Sequence, residues 1–212
     1  MAKAQRLSTF LHRIVRPSTW RYLLLVASDP RYDPLFASLR KSRPTARLMD
    51  PSLWFAWRAA PVVEQELATR TSPVVLEWGS GGSTRWFAGR AGKVISVEHH
   101  ADWFNLCRQH VGDAADMRHI PEGPAYAAPD IDYGSLDCVI IDGIMRVECA
   151  KTIASRIASG EIRKGTLIIF DNSERDAYRE GIEALEAGCT RWRSFSGPTG
   201  IDIDQMTTIF WV

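Results

Sequence analysis

The sequence is poor in cysteine and has no apolar run long enough to cross a membrane. Its four cysteines, Cys107, Cys138, Cys149 and Cys189, form no CxxC pair and show no disulfide-like spacing. Together with the lack of a secretory signal pattern, this predicts free thiols in a cytoplasmic protein. The apolar stretch YLLLVA is far shorter than the roughly 20 residues that a membrane helix needs.

The sequence also lacks an excess of charge of one sign. A net charge of +1 and a pI near 7.7 argue against a nucleic-acid partner held by bulk charge. The charge is nevertheless uneven along the chain. The first 47 residues contain ten Lys and Arg but only two acidic residues, so this stretch carries +8 and the rest of the chain carries −7.

Residues 1–50 are predicted to form a basic helical extension to a single domain that comprises residues 51–212. The stretch contains four prolines, and its piece RLSTFLHRIVR has apolar residues at helical spacing and a cationic face. One interpretation is a helix docked on the domain with solvated arginines. The other is contact with an anionic membrane surface or a partner protein.

Apolar strands alternate with helical segments from Val74 onward, which predicts an α/β fold with a parallel sheet covered on both faces. The last two segments, TRWRSFS and MTTIFWV, are strands with no helix between them, so the sheet should end in an antiparallel pair. A further helix is predicted to begin at Asp50 and Pro51, with a kink at Pro61. The predicted strands are 74–78, 93–99, 116–120, 136–143, 165–172, 190–196 and 206–212.

A glycine-rich turn follows the first strand but lacks one of the glycines that a dinucleotide turn needs. The pattern G-x-G-x-x-G is met by Gly79 and Gly81, whereas Thr84 stands at the third position. Glu77, two residues before the first glycine, would repel a pyrophosphate and attract an ammonium group. Glu98, which ends the next strand, is placed to accept hydrogen bonds from ribose hydroxyls.

A ligand with an ammonium group and a ribose but no phosphate fits this pattern, and S-adenosylmethionine is such a ligand. The alternative is a βαβ unit in which the glycines serve packing and both glutamates are solvated.

At these motifs the sequence resembles the class I S-adenosylmethionine-dependent methyltransferases. The resemblance covers residues 74–212 and rests on LEWGSGGS and SVEHHADWF. It implies a Rossmann-like three-layer α/β/α sandwich with a mostly parallel seven-stranded sheet and an antiparallel C-terminal strand. Residues 113–129 are candidates for adenine contacts. The cofactor-binding residues that we expect are Glu77, Gly79, Ser80, Gly81, Ser83, Glu98, His99 and Asp142.

Three oxygen-bearing side chains follow two later strands. Asp142 ends LDCVIID, and Asp171 and Asn172 end TLIIFDN, so all three should meet at one sheet edge. This arrangement is similar to that of the metal-dependent, catechol-type O-methyltransferases, and the similarity implies that the three residues bind Mg²⁺. A metal-free polar site and a cap on the helix near Asp176 are the two alternatives.

The sequence departs from that group where a lysine is expected. Met145 stands at this position, with Arg146 beside it. Because arginine stays protonated, we expect Arg146 to orient an anionic substrate and not to accept a proton. Asp142 and Arg146 are therefore the two candidate catalytic residues.

Tryptophan and histidine supply weaker candidates. His99 and His100 follow Glu98 directly and are close enough in sequence to reach a ligand, although solvated histidines are commoner. Most tryptophans pack in cores, so an aromatic wall around a substrate is the less common outcome. The tryptophans considered for such a wall are Trp54, Trp57, Trp78, Trp86 and Trp103.

The sequence thus predicts a methyltransferase that uses S-adenosylmethionine to methylate an oxygen of a small molecule or glycan, with no nucleic-acid partner. A homodimer is a further expectation. One alternative is a Rossmann-like protein that binds a nucleoside or a partner without catalysis. A nicotinamide-dependent oxidoreductase is the third hypothesis, and both Glu77 and Thr84 disfavour it.

Overall fold

The computed structural model describes residues 51, 53–56, 58–197 and 205–212 of the chain. The described strands are β1 Val74–Trp78, β2 Lys93–Glu98, β3 Asp116–His119, β4 Cys138–Ile141, β5 Leu167–Asp171, β6 Arg191–Gly197 and β7 Gln205–Trp211. The described α-helices are α1 Ala59–Ala68, α2 Gly82–Ala88, α3 Ala101–Val111, α4 Pro124–Ala127, α5 Arg146–Ala158 and α6 Arg179–Gly188. Short 3-10 helices occur at Gly112–Ala114, Tyr133–Ser135 and Asp176–Tyr178.

The strands form one sheet in the order β3-β2-β1-β4-β5-β7-β6. The strands from β3 to β5 pair in parallel, whereas β7 pairs antiparallel with both β5 and β6. Parallel neighbours need long crossover connections, and the helices between the strands supply them. The predicted fold class, including the antiparallel finish, is confirmed.

The sheet is covered on both faces, because side chains along a strand point alternately to opposite sides. In β1, Leu76 and Trp78 belong to one buried cluster, which also contains Ile153 of α5 and Leu185 of α6. Val75 belongs to a second cluster, to which α1 and α2 contribute. A sheet buried on both sides needs apolar residues at consecutive positions, which explains the continuous apolar runs of β4 and β5.

The first described helix starts later than predicted. α1 begins at Ala59, and residues 53–56 before it are not helical. Phe55 and Ala56 are buried in the second cluster. Pro61 is the third residue of α1 and does not kink it, because backbone N–H groups in the first turn have no intrahelical partner to lose. The prediction of a helix from Pro51 is therefore wrong at its start.

The predicted extension 1–50 and its amphipathic helix lie outside the described residues, so the division at residue 50 stays a prediction. Among the helices that the structure describes, none is both long and apolar enough to cross a membrane. None of the four cysteines forms a disulfide, as the sequence predicts, and Cys189 is the least buried of them.

The order of the sheet reverses between β1 and β4, so their carboxyl ends border a crevice. The segments that leave these two strands are in direct contact, since Asp142 N donates to Trp78 O at 3.1 Å. Gly79 has a φ of +93°, and a Cβ on it would lie 3.0 Å from backbone atoms of Asp142 and Gly143. Both the backbone conformation and the close approach therefore require glycine at this position.

Gly143, on the β4 side of the crevice, is restricted by a tyrosine. A Cβ on Gly143 would lie 2.0 Å from the Tyr126 hydroxyl oxygen. That hydroxyl accepts a hydrogen bond from Ile144 N at 3.3 Å. Tyr126 is fully buried, and its carbonyl oxygen accepts a hydrogen bond from Trp78 Nε1 at 2.7 Å. The tyrosine therefore has little freedom to move away from an added methyl group.

We expect Gly143→Ala to lower the free energy of unfolding by about 1–3 kcal/mol, because the added methyl group overpacks this contact. Tyr126→Phe removes the oxygen that the methyl group meets. The double variant should therefore lose less stability than the two single variants together. Chemical denaturation of the four proteins measures this difference, and strictly additive losses would contradict the proposed contact.

Candidate active site

An open cleft of about 600 Å³ lies at the carboxyl ends of β1, β2 and β4. Its wall consists of the turn after β1, the end of β2 with the start of α3, and the turn after β4. Ligands of open α/β sheets bind at this position, so the cleft is the candidate active site. The lining residues are Trp54, Gly79, Ser80, Gly81, Gly82, Ser83, Glu98, His99, His100, Trp103, Asp142, Gly143 and Ile144.

Thr84, at the third glycine position, fixes the shape of the turn after β1. Its Oγ1 accepts a hydrogen bond from Gly81 N at 2.9 Å and donates to Glu77 Oε2 at 2.5 Å. On the other side of the turn, Trp103 Nε1 donates to Ser80 O at 2.7 Å. A glycine in place of Thr84 would provide neither of the first two contacts. The residue that breaks the dinucleotide pattern is thus one that holds this turn.

Glu77 is fully buried and does not itself line the cleft. Its carboxyl group accepts hydrogen bonds from the hydroxyls of Ser83 at 2.5 Å, Thr84 at 2.5 Å and Ser96 at 2.7 Å. Burial raises the pKa of Glu77 to about 7, although these hydrogen bonds act to lower it. Ser83 both contacts Glu77 and lines the cleft, so it separates the carboxyl group from a bound ligand. The contact of Glu77 with an ammonium group stays a prediction.

Glu98 lines the cleft at the end of β2, and only 3% of the residue is exposed. Its Oε1 accepts hydrogen bonds from the backbone N–H groups of His99 and His100, both at 2.9 Å. Its Oε2 accepts one from Ser80 N at 3.1 Å. A carboxylate oxygen has two lone pairs, so Oε2 can accept a further hydrogen bond from a ligand hydroxyl.

The two histidines after β2 have different surroundings, although both line the cleft. His100 Nδ1 accepts a hydrogen bond from Trp103 N at 3.3 Å and so caps α3. His99 Nδ1 lies 2.9 Å from Glu98 Oε1 but is not aligned with it, and it has no hydrogen-bond partner among the described residues. His100 therefore positions the start of α3 beside the cleft.

Asp142 lines the cleft directly after β4, and 31% of its side chain is exposed there. Its Oδ1 accepts a hydrogen bond from Arg146 Nη2 at 2.8 Å. The surrounding protein excludes enough water to raise the pKa of Asp142 above its ordinary value, and the guanidinium opposes this rise. Oδ2 of Asp142 has no hydrogen-bond partner in the part of the chain that the structure describes, so this oxygen is available to a ligand.

The Arg146 guanidinium, at the start of α5, is only 8% exposed and joins the ends of β4 and β5. Nη2 also donates to Asp142 O at 2.8 Å, and Nε donates to Gly143 O at 2.8 Å. Nη1 donates to Asp171 O at 2.5 Å and to Asn172 Oδ1 at 3.1 Å. With the bond to Asp142 Oδ1, these contacts use all five N–H groups of the guanidinium.

Asp171 and Asn172 are both buried at the end of β5. Asp171 Oδ1 accepts a hydrogen bond from Thr207 Oγ1 at 2.5 Å. Burial raises the pKa of Asp171 to about 7, and the charge of Asp142 adds to this effect. Asn172 has a φ of +56°, and its Nδ2 is buried with no hydrogen-bond partner among the described residues.

The three predicted metal ligands meet at these strand ends, but their contacts do not fit a divalent cation. Asp142 Oδ1 and Asn172 Oδ1 both bind the Arg146 guanidinium, and the carboxyl group of Asp171 binds Thr207. Within the described ranges, no group of three or more His, Cys, Asp or Glu side chains is suited to a metal ion. The helix-cap alternative does not fit either, because α6 and the 3-10 helix before it have no side-chain cap.

Most of the predicted residues thus meet at one cleft, but sequence reasoning missed several of their neighbours. The contacts of the Ser96 and Thr84 hydroxyls with Glu77 were not predicted, although small hydroxyl residues beside a buried acid are a usable signal. Trp54 and Trp103 line the cleft, while Trp78 and Trp86 are buried in the core. Trp57 lies outside the described residues. Tyr126, from the segment considered for adenine contacts, packs in the core.

We expect Glu77→Gln to change how the free energy of unfolding depends on pH. A carboxyl group whose pKa is raised on folding stabilises the fold at low pH, and this contribution is lost as the pH rises through the folded pKa. For Glu77 the loss falls between its ordinary pKa of 4.5 and about 7, which corresponds to about 3 kcal/mol. As the pH rises over this range, the free energy of unfolding of Glu77→Gln should increase relative to that of wild type by about this amount.

Denaturation curves at several pH values between about 4 and 8 measure this effect. The exposed Glu122→Gln is the matched control, because it makes the same substitution at the protein surface. The titration of Asp171 contributes equally to the free energy of unfolding of all three proteins, so it cancels in the differences between them. If Glu77→Gln and wild type give parallel curves, the buried, protonated state of Glu77 is disproved.

Comparisons with known proteins are informative at the level of structure. No protein-family model matches the chain, and no curated protein matches it. A proposed O-methyltransferase from Klebsiella pneumoniae is 20% identical with a TM-score of 0.62, and the match covers 87% of this chain and 96% of that one. An O-methyltransferase from Bacillus cereus in complex with SAH is 18% identical with a TM-score of 0.57, covering 85% and 91%.

A third solved structure shows that the likeness extends beyond O-methyltransferases. The tRNA (m1A58) methyltransferase TrmI from Aquifex aeolicus is 10% identical with a TM-score of 0.58, and the match covers 77% of this chain and 72% of that one. At such low identities the likeness concerns the fold. The chain therefore has the Rossmann-like fold of the class I S-adenosylmethionine-dependent methyltransferases.

Proposed function

We propose that this protein is an S-adenosylmethionine-dependent methyltransferase that methylates an oxygen of a small molecule or glycan. The observation that carries the proposal is the convergence of the glycine-rich turn, Glu98 and Asp142 on one cleft at the switch point of the sheet. The fold shared with two O-methyltransferases supports the reaction class, and the SAH complex of one of them supports the cofactor.

The cleft offers suitable contacts to the methionine part and to the ribose of this cofactor. Gly79 lets the backbone approach the ligand closely, and Ser83 faces the cleft in front of the buried Glu77. We assign the methionine part of the cofactor to this turn. Glu98 Oε2 accepts one hydrogen bond from Ser80 N and keeps a second lone pair. This lone pair would accept a hydrogen bond from a ribose hydroxyl. No phosphate is required at any of these contacts.

When bound, S-adenosylmethionine would supply a methyl group carried on a sulfonium sulfur. An oxygen nucleophile would attack the methyl carbon in line, so that the C–O bond forms as the S–C bond breaks and the electron pair of that bond stays on sulfur. The protein contributes mainly by positioning the two reacting atoms. Glu98 and Asp142 are the acidic side chains among the described residues that line the cleft. Because Glu98 is assigned to the ribose, Asp142 is the one available to the acceptor. We assign it the role of accepting the hydroxyl proton on Oδ2 as the new C–O bond forms.

The other hypotheses have less support. A nicotinamide-dependent oxidoreductase is not favoured, because the turn after β1 holds the buried Glu77 and Thr84 where a pyrophosphate would need open backbone. A binding protein without catalysis is tested by the transfer assay below. The absence of a nucleic-acid partner, the homodimer and the membrane or partner contact of residues 1–50 stay predictions.

Calorimetric titration of the full chain tests cofactor binding. We expect S-adenosylmethionine and S-adenosylhomocysteine to bind and NAD not to bind. Glu98→Gln should weaken both complexes by about 10- to 100-fold, because a hydrogen bond to a charged oxygen is worth about 1.5–3 kcal/mol. The exposed Glu183→Gln on α6 is the charge-matched control and should bind as wild type does.

The thermal midpoint of each variant, measured without ligand, separates weaker binding from a damaged fold. NAD binding in place of both adenosyl ligands would disprove the proposal. Equal affinity of Glu98→Gln and wild type would remove Glu98 from the ribose site.

Transfer of the labelled methyl group of S-adenosylmethionine to a panel of phenols, hydroxy acids and sugars tests the reaction. We expect transfer to at least one oxygen acceptor, with EDTA present. Asp142→Asn should lower kcat by about 100-fold or more, because a general base contributes about 10²–10⁴-fold. The exposed Asp130→Asn is the control, and unchanged transfer by Asp142→Asn would exclude the assigned role.

A further inference from the structure

We propose that the Arg146 guanidinium is the resident cation at the ends of β4 and β5 and takes the place of a divalent metal ion there. The inference concerns the folded chain, and it rests on the proposed methyl transfer only for its catalytic consequence. It follows from which atoms the guanidinium contacts, from its burial and from the charge beside it.

The oxygens around the guanidinium are of the kind that a hard cation would use. Two belong to the side chains of Asp142 and Asn172, and three are the carbonyl oxygens of Asp142, Gly143 and Asp171. Carboxylate, amide and carbonyl oxygens are the usual protein ligands of Mg²⁺ and Ca²⁺. Here all of them accept hydrogen bonds from one planar group, which uses its five N–H groups to do so.

The guanidinium already supplies a positive charge at this site. Arg146 is 8% exposed, and a charge with so little access to water needs a partner of opposite sign. Asp142 is that partner. A metal ion bound to Asp142 Oδ1 and Asn172 Oδ1 would have to displace the guanidinium or lie against it, at a cost in charge repulsion.

The backbone on both sides is shaped to maintain these contacts. Met145, directly before Arg146, has a φ of +48°, and Asn172 has a φ of +56°. Left-handed conformations are uncommon for residues other than glycine, least so for asparagine. The Asn172 amide turns its oxygen to Arg146, and its Nδ2 is left without a hydrogen-bond partner among the described residues. The arginine contact is therefore kept although a buried donor is left unsatisfied.

Arg146 acts through Asp142 and not on the substrate. The sequence predicts that Arg146 orients an anionic substrate. Its five N–H groups are all used within the protein, however, so none is left for that role. The ion pair fixes Oδ1 of Asp142 and leaves Oδ2 available in the cleft. Arg146 is a positioning residue, and the reaction is expected to need no metal ion.

The first test measures metal binding directly on the wild-type chain. Free Mn²⁺ gives a sharp electron paramagnetic resonance signal that is lost when the ion binds to protein. We expect this signal to stay unchanged on addition of stoichiometric protein at micromolar concentration, with and without S-adenosylhomocysteine. Stoichiometric loss of the signal in wild type that Asp142→Asn abolishes would overturn the proposal.

The second test removes the guanidinium. Arg146→Ala exposes the oxygen set, so millimolar Mg²⁺ should raise the melting temperature of this variant by about 2–4 °C and leave wild type unchanged. A merely structural arginine would not be replaced by a metal ion. Absence of this rise in folded Arg146→Ala would show that the oxygens form no cation site and would refute the proposal.

Arg156→Ala is the matched control. Arg156 also lies on α5, pairs with an acidic residue, Glu161, and lies 4.7 Å from the ring of Tyr133, as Arg146 lies 5.3 Å from that of Tyr178. Mg²⁺ should not stabilise this variant. If Arg146→Ala does not fold, Arg146→Met, which keeps the aliphatic packing without the charge, takes its place in the Mg²⁺ test.

The outcome is independent of the proposed function. The resonance and melting measurements need no methyl acceptor, and the adenosyl-ligand titration alone decides cofactor binding. If the cofactor fails to bind while Mn²⁺ also remains free, the methyltransferase proposal fails and the cation assignment stands.

Discussion

The ion pair between Arg146 and Asp142 is the contact on which the rest of the site depends. Two neighbouring parallel strands, β4 and β5, end at the same edge and direct backbone carbonyls and acidic side chains toward each other. Such a concentration of oxygen atoms is stable only around a positive charge. The guanidinium supplies that charge from within the chain and ties both strand ends to the first turn of α5.

A similar arrangement occurs at the end of β1, where the solution is different. Glu77 is as deeply buried as any residue of the core, yet no positive charge accompanies it in its hydrogen bonds. Three hydroxyl groups take that place, and the pKa of Glu77 rises to about 7 because hydrogen bonds compensate burial only in part. The two acidic groups therefore differ in kind, since Asp142 is paired with a cation and Glu77 with hydroxyl groups.

These two arrangements determine what the cleft offers to a ligand. Glu77 and Asp171 are satisfied inside the protein, whereas Glu98 and Asp142 line the cleft and each keep an oxygen with hydrogen-bonding capacity. The remainder of the wall is glycine-rich backbone, two tryptophans and two histidines. A ligand that brings hydroxyl donors and a positive group, without phosphates, suits such a surface.

The solved structures that share this fold are named for different reactions. The same fold occurs in two O-methyltransferases and in a tRNA methyltransferase, so the sheet and its crevice serve several classes of substrate. In α/β folds, loops and added segments at the strand ends select the substrate.

The strands, their mostly parallel pairing and the position of the cleft could be predicted from the sequence, because they follow from local patterns. Apolar runs identify the parallel strands, and Gly79 marks the point where two backbones meet too closely for a side chain. The roles of individual polar residues could not be predicted in this way. Whether Glu77 faces a ligand or three hydroxyls depends on Ser96, which lies on another strand, 19 residues away.

The same distinction holds for Asp142, Asp171 and Asn172. That these residues meet can be predicted from the sequence, since parallel strands bring their carboxyl ends to one edge. What lies between them is seen only in the folded chain. The left-handed backbone at Met145 starts α5 so that Arg146 reaches the ends of both strands, and a contact made across strands leaves no periodic trace in the sequence.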